Sequence, residues 1–352
     1  MPAINYTKRQ SLFENKIHGL GLDAFLVTNQ TNVSYLSGFR GHDAVALFAK
    51  GKRYLITDSR YIEEAQEDAK GFRIELVRES TYRTLGELVK AARLKRIGFE
   101  SMNLPFGVVE RLKEALPGRM ALRPFRGVVE GFRSVKDRAE VELIKKSVRL
   151  AKSVLADIEK KVRPGVSEGY LAEFIRQGFI KKGAVPGFDP IVASGANSSK
   201  PHARPTTAKI RDNSFVMVDI GCRLNGYNSD ITKTLRVGKP APRFKKIYEI
   251  VSAAQKLAIE KIAPGKNASE IDFAARGYIC REGFGRNFGH SLGHGVGMDV
   301  HEEPTISKMS RAVLKAGMVF TVEPAIYIPG FGGIRIEDMV LVTDKGVEVL
   351  TK

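Results

Sequence analysis

An internal repeat constrains this chain more than any other feature of its sequence. One helical pattern ends at Arg163-Pro164-Gly165, and another ends about a hundred residues later at Ala263-Pro264-Gly265. Proline followed by glycine stops a helix, and a new helical pattern follows each stop. The segments run in parallel, VRPGVSEGYLAEFIRQGF against IAPGKNASEIDFAARGYICREGF. Repeated units bury their apolar faces against each other. The repeat therefore predicts a pseudo-symmetric domain of two helix–helix–strand–strand units.

Each unit also carries two acidic residues at matching places. The strand pattern FVMVD ends at Asp219, and its counterpart VFTVE ends at Glu323. Asp230, within SDITKTL, corresponds to Glu337, within RIEDMVL. The strand patterns are too apolar for the protein surface, and burying an isolated charge is costly unless it is paired or bound to a metal. We therefore expect the four carboxylates to meet where the two units join.

The residues alone leave simpler explanations open. Asp219 and Asp230 also fit two carboxylates at the surface of a hairpin. Glu337 shares a strand face with Arg335, so a simple ion pair between them fits as well. Two carboxylates set side by side, however, repel each other unless a cation lies between them or they share a proton. A metal site accounts for all four acidic positions together.

One histidine completes the candidate site. His294 lies in the glycine-rich stretch GHSLGHGVG, which allows close backbone approach and unusual dihedral angles. A lone histidine in such a loop also fits a structural or solvated residue. The full donor set suits two divalent ions such as Mn²⁺ or Co²⁺, with Zn²⁺ or Fe²⁺ as further options. Its members are Asp219, Asp230, His294, Glu323 and Glu337.

Two further histidines are candidates for the chemistry around such a centre. Two adjacent divalent ions hold a bridging hydroxide at neutral pH and polarise a carbonyl group. The reaction also needs donors for a tetrahedral intermediate and a proton for the leaving amine. His202, in SSKPHARP, and His301, in VHEEP, are available for these tasks. Each of them also fits a solvated loop residue.

The first part of the chain has a different character. Over about 120 residues, short apolar strand patterns alternate with helical patterns, which is typical of a layered α/β domain. The basic segment from Leu122 to Ser134 contains proline and glycine and is predicted to be a linker. A long helix is predicted from about Lys136 to Val162. We expect an N-terminal α/β domain over residues 1–125 and a catalytic domain over residues 126–352.

Composition favours a cytoplasmic protein without a membrane or specific nucleic-acid partner. No apolar run approaches the ~18 residues of a membrane span, and the N-terminus lacks a signal-peptide pattern. Cys222 and Cys280 are too few for a disulfide framework and are expected to be reduced core residues. The net charge is +18. The basic residues are spread out, without the interleaved aromatic residues that a binder of single-stranded nucleic acid needs.

Four motifs taken together resemble the metal-dependent Xaa-Pro peptidases. They are DIG…GYNSDITKT, HSLGHGVGMDVHEEP, VEPAIY and GGIRIEDM. That family includes prolidase (Xaa-Pro dipeptidase) and aminopeptidase P, relatives of methionine aminopeptidase. The stretch LDAFLVTNQTNVSYLSGFRG is similar to the creatinase-type N-terminal domain. The resemblance covers essentially the whole chain. It implies an α/β N-terminal domain followed by an α+β pita-bread (creatinase/aminopeptidase) catalytic domain with an internal pseudo-twofold repeat.

The resemblance also implies a dinuclear metal centre. Its five ligand positions are filled by Asp219, Asp230, His294, Glu323 and Glu337. Asp230 and Glu337 match the ligands that bridge both ions, and Glu323 matches the residue that accepts a proton from the attacking water. One departure is Ala325, where many relatives have glycine, and this affects no ligand. Because all five positions are filled, the resemblance is to the metal-containing branch of the family.

Other site residues are assigned by the same resemblance. His202 matches a histidine that contacts the substrate or intermediate, and His301 matches one near the leaving nitrogen. Three more positions are expected to bind substrate. His290 matches a residue that lines the proline pocket, and Arg335 matches the arginine beside the last ligand. Tyr227 matches the tyrosine that precedes the second aspartate.

The activity implied is hydrolysis of the Xaa-Pro bond at the N-terminus of dipeptides or short peptides, by a hydroxide that bridges two divalent metal ions. An Xaa-Pro bond is a tertiary amide without N–H, so peptidases that need that hydrogen bond cannot engage it. The chain length favours an Xaa-Pro dipeptidase, with an aminopeptidase P acting on longer peptides as the alternative. A catalytically idle binding module is a distant alternative. The resemblance implies a homodimer.

Overall fold

The computed structural model describes residues 3–116, 118 and 120–352. Contacts within the chain define two compact units, Ala3–Arg133 and Ser134–Lys352. Among the described residues, no helix combines the length and the apolar character that crossing a bilayer requires.

The N-terminal unit is a mixed sheet with helices, and its central strands are its most apolar segments. The strands are β1 (Ala24–Val27), β2 (Ala44–Ala49), β3 (Lys52–Thr57), β4 (Arg73–Leu76), β5 (Arg96–Glu100) and β6 (Ala121–Phe125). The helices are α1 (Tyr6–Gly19), α2 (Gln30–Ser37), α3 (Ile62–Asp68), α4 (Thr81–Ala91), α5 (Phe106–Ala115) and α6 (Val128–Arg133). The strand order in the sheet is β4-β3-β2-β1-β5-β6. β1 pairs antiparallel with β2 and parallel with β5, and each of its residues is buried.

The predicted linker from Leu122 to Ser134 is wrong. Most of this segment belongs to β6 and α6, and the division between the units falls after Arg133. Pro124 suggested a loop, but β6 is an edge strand, where a residue without N–H is tolerated. Gly127, with φ of 69°, lies in the turn between the strand and the helix. The expected boundary after residue 125 therefore lies between two elements of the same unit.

The second unit contains four long helices and several small sheets. Its helices are α7 (Arg138–Glu159), α8 (Glu168–Lys181), α9 (Pro242–Glu260) and α10 (Ala268–Arg281). Its strands are β7 (Val185–Pro186), β8 (Ile191–Ser194), β9 (Ser214–Ile220), β10 (Cys222–Leu224), β11 (Tyr227–Asn228), β12 (Ile231–Val237), β13 (Gly293–Gly295), β14 (Glu302–Ile306), β15 (Val319–Val322), β16 (Ala325–Ile328), β17 (Gly332–Arg335), β18 (Asp338–Thr343) and β19 (Gly346–Val349).

The internal repeat predicted from the sequence is present in the connectivity. α7 and α8 precede the antiparallel sheet β12-β9-β8, and α9 and α10 precede a sheet that contains the antiparallel run β13-β15-β18. α8 and α10 have the same length, 14 residues. Gly165 and Gly265 precede them with nearly equal φ of 86° and 84°. Only glycine adopts this conformation without strain, so the turn chemistry repeats together with the helices.

The two halves of the unit join through a short stretch of backbone and side-chain bonds. The Glu337 N–H donates to the Thr232 carbonyl over 3.1 Å. The Thr234 hydroxyl donates to the Arg335 carbonyl over 2.8 Å. β12 of the first half therefore lies against the segment that carries Glu337 in the second half.

Cys222 is buried as expected, but Cys280 is exposed on α10, so the expectation of two core cysteines is half wrong.

Candidate metal centre

The five predicted ligands converge on one cavity of the second unit. Asp219 lies near the end of β9 and Asp230 immediately before β12, while His294 lies in β13. Glu323 follows β15, and Glu337 lies between β17 and β18. The cavity has a volume of about 930 Å³ and is lined by all five residues together with His202, His290, His301 and Arg335. Neither simpler explanation left open by the sequence, a surface hairpin or an isolated ion pair, describes this arrangement.

Three of these side chains come close enough to share one ion. One donor atom from each of Asp230, His294 and Glu337 lies within 4.8 Å of the others. The His294 Nε2 atom is 3.7 Å from Asp230 Oδ2 and 3.3 Å from Glu323 Oε1. A nitrogen and several carboxylate oxygens at such spacing form a donor set that suits hard divalent cations.

Asp219 is held by an arginine on one side only. Its Oδ2 atom accepts a hydrogen bond from Arg335 Nη2 over 2.5 Å. Its Oδ1 atom is buried and has no hydrogen-bond partner among the described residues. A buried carboxylate oxygen without a donor is costly. A cation bound between Asp219 and the neighbouring carboxylates would satisfy this atom.

Burial and mutual repulsion strongly raise the pKa of two of the carboxylates. Burial, and after it the negative charge of Glu337, raises the pKa of Asp230 well above its ordinary value. Burial, and then the charge of Glu323, raises the pKa of Glu337 in the same direction. Acids placed together in the interior resist ionisation unless a positive charge compensates them. The electrostatics of the site therefore favour a bound cation.

His294 and Glu323 form a pair with opposite pKa shifts. Burial lowers the pKa of His294, but the hydrogen bond and the charge of Glu323, together with smaller effects of Gly295 and Asp219, outweigh burial and leave the pKa raised. Burial raises the pKa of Glu323, but the hydrogen bond and charge of His294, together with the charges of Arg335 and His290, outweigh burial and leave the pKa lowered. The pair is therefore stabilised as imidazolium and carboxylate. A metal ion that binds His294 has to displace this proton, because imidazole binds metals in its neutral form.

The glycines beside His294 are required by close strand packing. A Cβ atom on Gly293 would collide with the Thr321 carbonyl, and one on Gly295 would collide with the Glu303 carbonyl. Both glycines have ordinary negative φ, so the unusual dihedral angles allowed by the sequence do not occur here. The glycines let β13 approach its neighbours closely, and this approach brings His294 to the carboxylates.

Two threonines that sequence reasoning missed orient the carboxylates. Thr232 Oγ1 donates to Glu337 Oε2 over 2.6 Å. Thr321 Oγ1 donates to Glu323 Oε1 over 3.1 Å and accepts from the His294 N–H over 3.1 Å. Thr232 lies two residues after Asp230, and Thr321 lies two residues before Glu323. The alternation of side chains along a strand was therefore the signal that could have identified both.

A third missed residue is Tyr327, which connects Arg335 to His290. Arg335 Nη1 donates to the Tyr327 hydroxyl over 2.7 Å, and this hydroxyl lies 3.2 Å from His290 Nε2. Burial raises the pKa of Tyr327 to about 12, so the tyrosine stays protonated at neutral pH. Tyr327 is the tyrosine of the motif VEPAIY, but no role was predicted for it from the sequence. The chain of bonds fixes the ring of His290 at the cavity wall.

His202 and His301 are exposed side chains that line the cavity. The ring of His301 packs against that of His294, with centroids 4.1 Å apart. Burial, and then the positive charge of His294, lowers the pKa of His301. Because both side chains are exposed and line the cavity, His202 and His301 are accessible to a molecule that enters it.

Tyr227 is not among the described residues that line the cavity. Its side chain is buried, and its hydroxyl donates to Glu140 Oε1 over 3.0 Å. The expected substrate contact does not fit this placement. Tyr227 is separated from Asp230 by Asn228 and Ser229 in the sequence. In the fold its ring points towards α7, where Glu140 lies. Its role in the structure is to fix β11 against that helix.

Comparison with known proteins agrees with the geometry. Residues 142–344 match metallopeptidase family M24, and residues 9–135 match the creatinase/prolidase N-terminal domain. The chain belongs to metallopeptidase family M24. The resemblance to the Xaa-Pro peptidase family and the expected fold class are thereby confirmed.

Relatives of this M24 chain match it over nearly their whole length. The chain is 38% identical over 339 residues to the Xaa-Pro dipeptidase of Pyrococcus horikoshii, which covers 94% of this chain and 93% of the relative. It superimposes on an Xaa-Pro dipeptidase from Bacillus anthracis with a TM-score of 0.95, 37% identity and coverage of 99% and 98%. It superimposes on an X-Pro aminopeptidase from Thermotoga maritima MSB8 with a TM-score of 0.88, 33% identity and coverage of 96% and 97%.

The residues present fit the divalent metal that an M24 metallopeptidase implies. Asp219 offers a buried oxygen without a donor, and Asp230, His294 and Glu337 present atoms close together. Burial, and then neighbouring carboxylates, raise the pKa of Asp230 and Glu337, and a bound cation would favour their ionised forms. Carboxylate oxygens with one imidazole differ from the cysteine-rich donor set of a structural zinc site and suit a divalent cation bound mainly through oxygen.

Proposed function

We propose that this M24 metallopeptidase hydrolyses the Xaa-Pro bond at the N-terminus of dipeptides. The observation that carries the proposal is the cluster of the buried Asp230 and Glu337 with the half-buried His294, set in a cavity beside an unpartnered oxygen of Asp219. The names of the Pyrococcus and Bacillus relatives support the same substrate class. An aminopeptidase P that acts on longer peptides is the second candidate, because an X-Pro aminopeptidase shares the fold closely.

Five side chains are proposed to hold two divalent ions, with Mn²⁺ or Co²⁺ favoured. They are Asp219, Asp230, His294, Glu323 and Glu337, of which Asp230 and Glu337 are proposed, from the family resemblance, to contact both ions. The bound ions would supply an activated water molecule and polarise the scissile carbonyl. Thr232, Thr321 and Arg335 orient the carboxylates through hydrogen bonds.

The remaining chemistry is proposed for side chains that reach the cavity. Glu323 accepts a proton from the attacking water, since its carboxylate is kept ionised and lies beside His294. His202 and His301 are proposed to contact the reacting carbonyl and the leaving nitrogen, because both are accessible from the cavity. His290 is held in place by Tyr327 and is proposed to contact the proline ring. No residue has to accept a hydrogen bond from the scissile nitrogen, which suits a tertiary amide.

The assembly proposed is a cytoplasmic homodimer. The dimer is proposed from the family resemblance. The cytoplasmic location is proposed from the two cysteines, which are free thiols. Light scattering coupled to size-exclusion chromatography measures the mass of the purified protein. A mass of one chain would refute the dimer and leave the proposed reaction untouched.

Hydrolysis of Ala-Pro, Ala-Pro-Ala and Ala-Ala tests the reaction, with Mn²⁺ and Co²⁺ supplied separately to chelator-treated protein. We expect metal-dependent turnover of Ala-Pro and none of Ala-Ala. Faster turnover of Ala-Pro-Ala than of Ala-Pro would favour the aminopeptidase. Absence of turnover with both metals, or equal turnover of Ala-Ala, would refute Xaa-Pro specificity.

A further inference from the structure

Arg176 and Arg276 occupy the same position in the two halves of the repeat. Each is the ninth residue of its helix, in α8 and α10 respectively. The two helices have the same length and follow the same turn, so the two guanidinium groups start from matching places. Their surroundings are nevertheless very different.

Each nitrogen of the Arg276 guanidinium donates a hydrogen bond to an oxygen atom of the protein. Its Nε and Nη2 atoms each donate to an Asp272 carboxylate oxygen over 2.7 Å. Its Nη1 donates to the Phe288 carbonyl over 2.9 Å, and its Nη2 to the His290 carbonyl over 2.7 Å. Asp272 is completely buried and also accepts from the Leu292 N–H. Arg276 therefore fixes the backbone that leads to His290 and is not available to a ligand.

Arg176 lacks every one of these partners. Ala172 stands where the second half has Asp272. The guanidinium of Arg176 contacts only Glu173, over 3.4 Å, and Asp189, over 3.2 Å, among the described residues. The Asp189 side chain is 91% exposed, and ion pairs this exposed contribute little stability. Arg176 nevertheless lines the same cavity as the candidate metal ligands.

Another arginine, besides Arg176 and the buried Arg335, lines this cavity. Arg204 is exposed, and its side chain has no hydrogen bond or ion pair among the described residues. The candidate ligands Asp230 and Glu337 are buried by comparison, with 5% and 3% exposure. The cavity thus combines buried carboxylates with guanidinium groups nearer to solvent. A carboxylate that enters it is repelled by the first set and attracted by the second.

We propose that Arg176, assisted by Arg204, binds a carboxylate of the substrate. The planar guanidinium matches a carboxylate with two parallel hydrogen bonds, and Asp189 already places a carboxylate against Arg176. The proposal deepens the proposed function and rests on it. Two sources share this chemistry, the C-terminal carboxylate of an Xaa-Pro dipeptide and the side chain of an acidic Xaa residue.

Three substrates separate these sources in the Mn²⁺-loaded protein. Ala-Pro carries only the C-terminal carboxylate, Glu-Pro-amide carries only the side-chain carboxylate, and Ala-Pro-amide carries neither. Arg176→Gln is expected to raise KM about ten- to a hundredfold for one carboxylate substrate, the equivalent of one hydrogen bond to a charged group. kcat should change little, and Ala-Pro-amide should be affected less than about twofold.

Three further variants sharpen the test. Arg204→Gln should change KM in the same direction for the same substrate. Asp189→Asn removes a competing carboxylate and should lower that KM. Arg149→Gln removes an equal charge from an exposed position of α7 outside the cavity, and it should leave all three substrates unaffected.

The outcomes are distinct. An increase in KM confined to Ala-Pro means that Arg176 binds the C-terminal carboxylate. An increase in KM confined to Glu-Pro-amide means that Arg176 binds the carboxylate of the Xaa side chain. An equal effect of Arg176→Gln on all three substrates, or on none, overturns the proposal. If the unmodified protein turns over none of them, the proposed function fails. Calorimetric binding of the same uncleaved ligands to the unmodified and Arg176→Gln proteins then decides the arginine separately.

Discussion

Arg335 and Asp219 form an ion pair in the interior, with Nη2 of the arginine 2.5 Å from Oδ2 of the aspartate. The arginine is only 4% exposed and also donates to Thr232, Tyr327 and the Pro201 carbonyl. These bonds fix Asp219 so that its Oδ1 atom is left without a donor. One arginine therefore both orients a carboxylate and leaves one of its oxygens available to a cation.

Arg335→Gln is expected to destabilise the protein by about 3–5 kcal/mol, because it leaves Asp219 buried without its partner. The loss should be larger in EDTA than in Mn²⁺, since a bound cation compensates part of the missing charge. Urea unfolding measures both values, with Arg149→Gln as the matched control. Equal losses with and without metal would contradict a cation next to Asp219.

Metal-free protein is expected to lose stability as the pH rises. Burial, reinforced by neighbouring negative charge, raises the pKa of Asp230 and Glu337 above their unfolded values. The folded state therefore binds more protons than the unfolded state. The favourable contribution is present below about pH 4 and disappears as the pH rises through the folded pKa values. Melting temperatures in EDTA across this range should fall, and saturating Mn²⁺ should reduce the slope. A slope unchanged by metal would count against the site.

Asp230→Asn should separate stability from activity. The substitution removes one negative charge from the cluster and keeps the shape of the side chain. We expect a higher melting temperature than the unmodified protein in EDTA, together with loss of Ala-Pro hydrolysis in Mn²⁺. Calorimetry and a hydrolysis assay on the same sample measure the two effects. Retained turnover would show that the proposed role of Asp230 in metal binding is wrong.

Gly293→Ala is expected to destabilise the protein by about 1–3 kcal/mol and to weaken metal binding. The new methyl group would collide with the Thr321 carbonyl and push His294 away from the carboxylates. Gly289→Ala is the matched control, because a Cβ atom there meets nothing within 4 Å. Urea unfolding and Mn²⁺ titration compare the two variants. Similar behaviour of both would mean that close packing of β13 does not position His294.

The two repeat arginines should differ in stability. Arg276→Gln leaves the buried Asp272 carboxylate without its partner and is expected to cost about 3–5 kcal/mol. Arg176→Gln removes only exposed contacts and is expected to cost less than about 1 kcal/mol. Urea unfolding of both variants measures the difference. A similar cost at the two positions would mean that the two arginines have equivalent structural roles.

Much of the fold and of the site was predictable because the signals are local. Proline and glycine mark the same turn in both halves, and apolar strand patterns ending in acids place Asp219 and Glu323 at strand ends. The repeat of helices, strands and carboxylates follows from these patterns. The linker prediction failed because a proline at a sheet edge and one in a loop look alike in sequence. Helix α2 has no clear signal in the sequence, because its polar residues show little periodicity and the helix depends on the Asn29 cap and on Gly38 with φ of 88°.

The sequence by itself determined which residues are candidates for the chemistry: five possible metal donors, their order along the chain and the repeated arrangement of elements that carries them. The tertiary structure alone decided which neighbours these residues meet. It paired Asp219 with Arg335, turned Tyr227 away from the cavity and brought in Thr232, Thr321 and Tyr327. It also gave Arg176 only exposed partners, whereas Arg276 is bonded to the buried Asp272 and to backbone carbonyls. The physical reason is that residue type and spacing fix local geometry, whereas hydrogen-bond partners and charge environment depend on segments that meet only after folding.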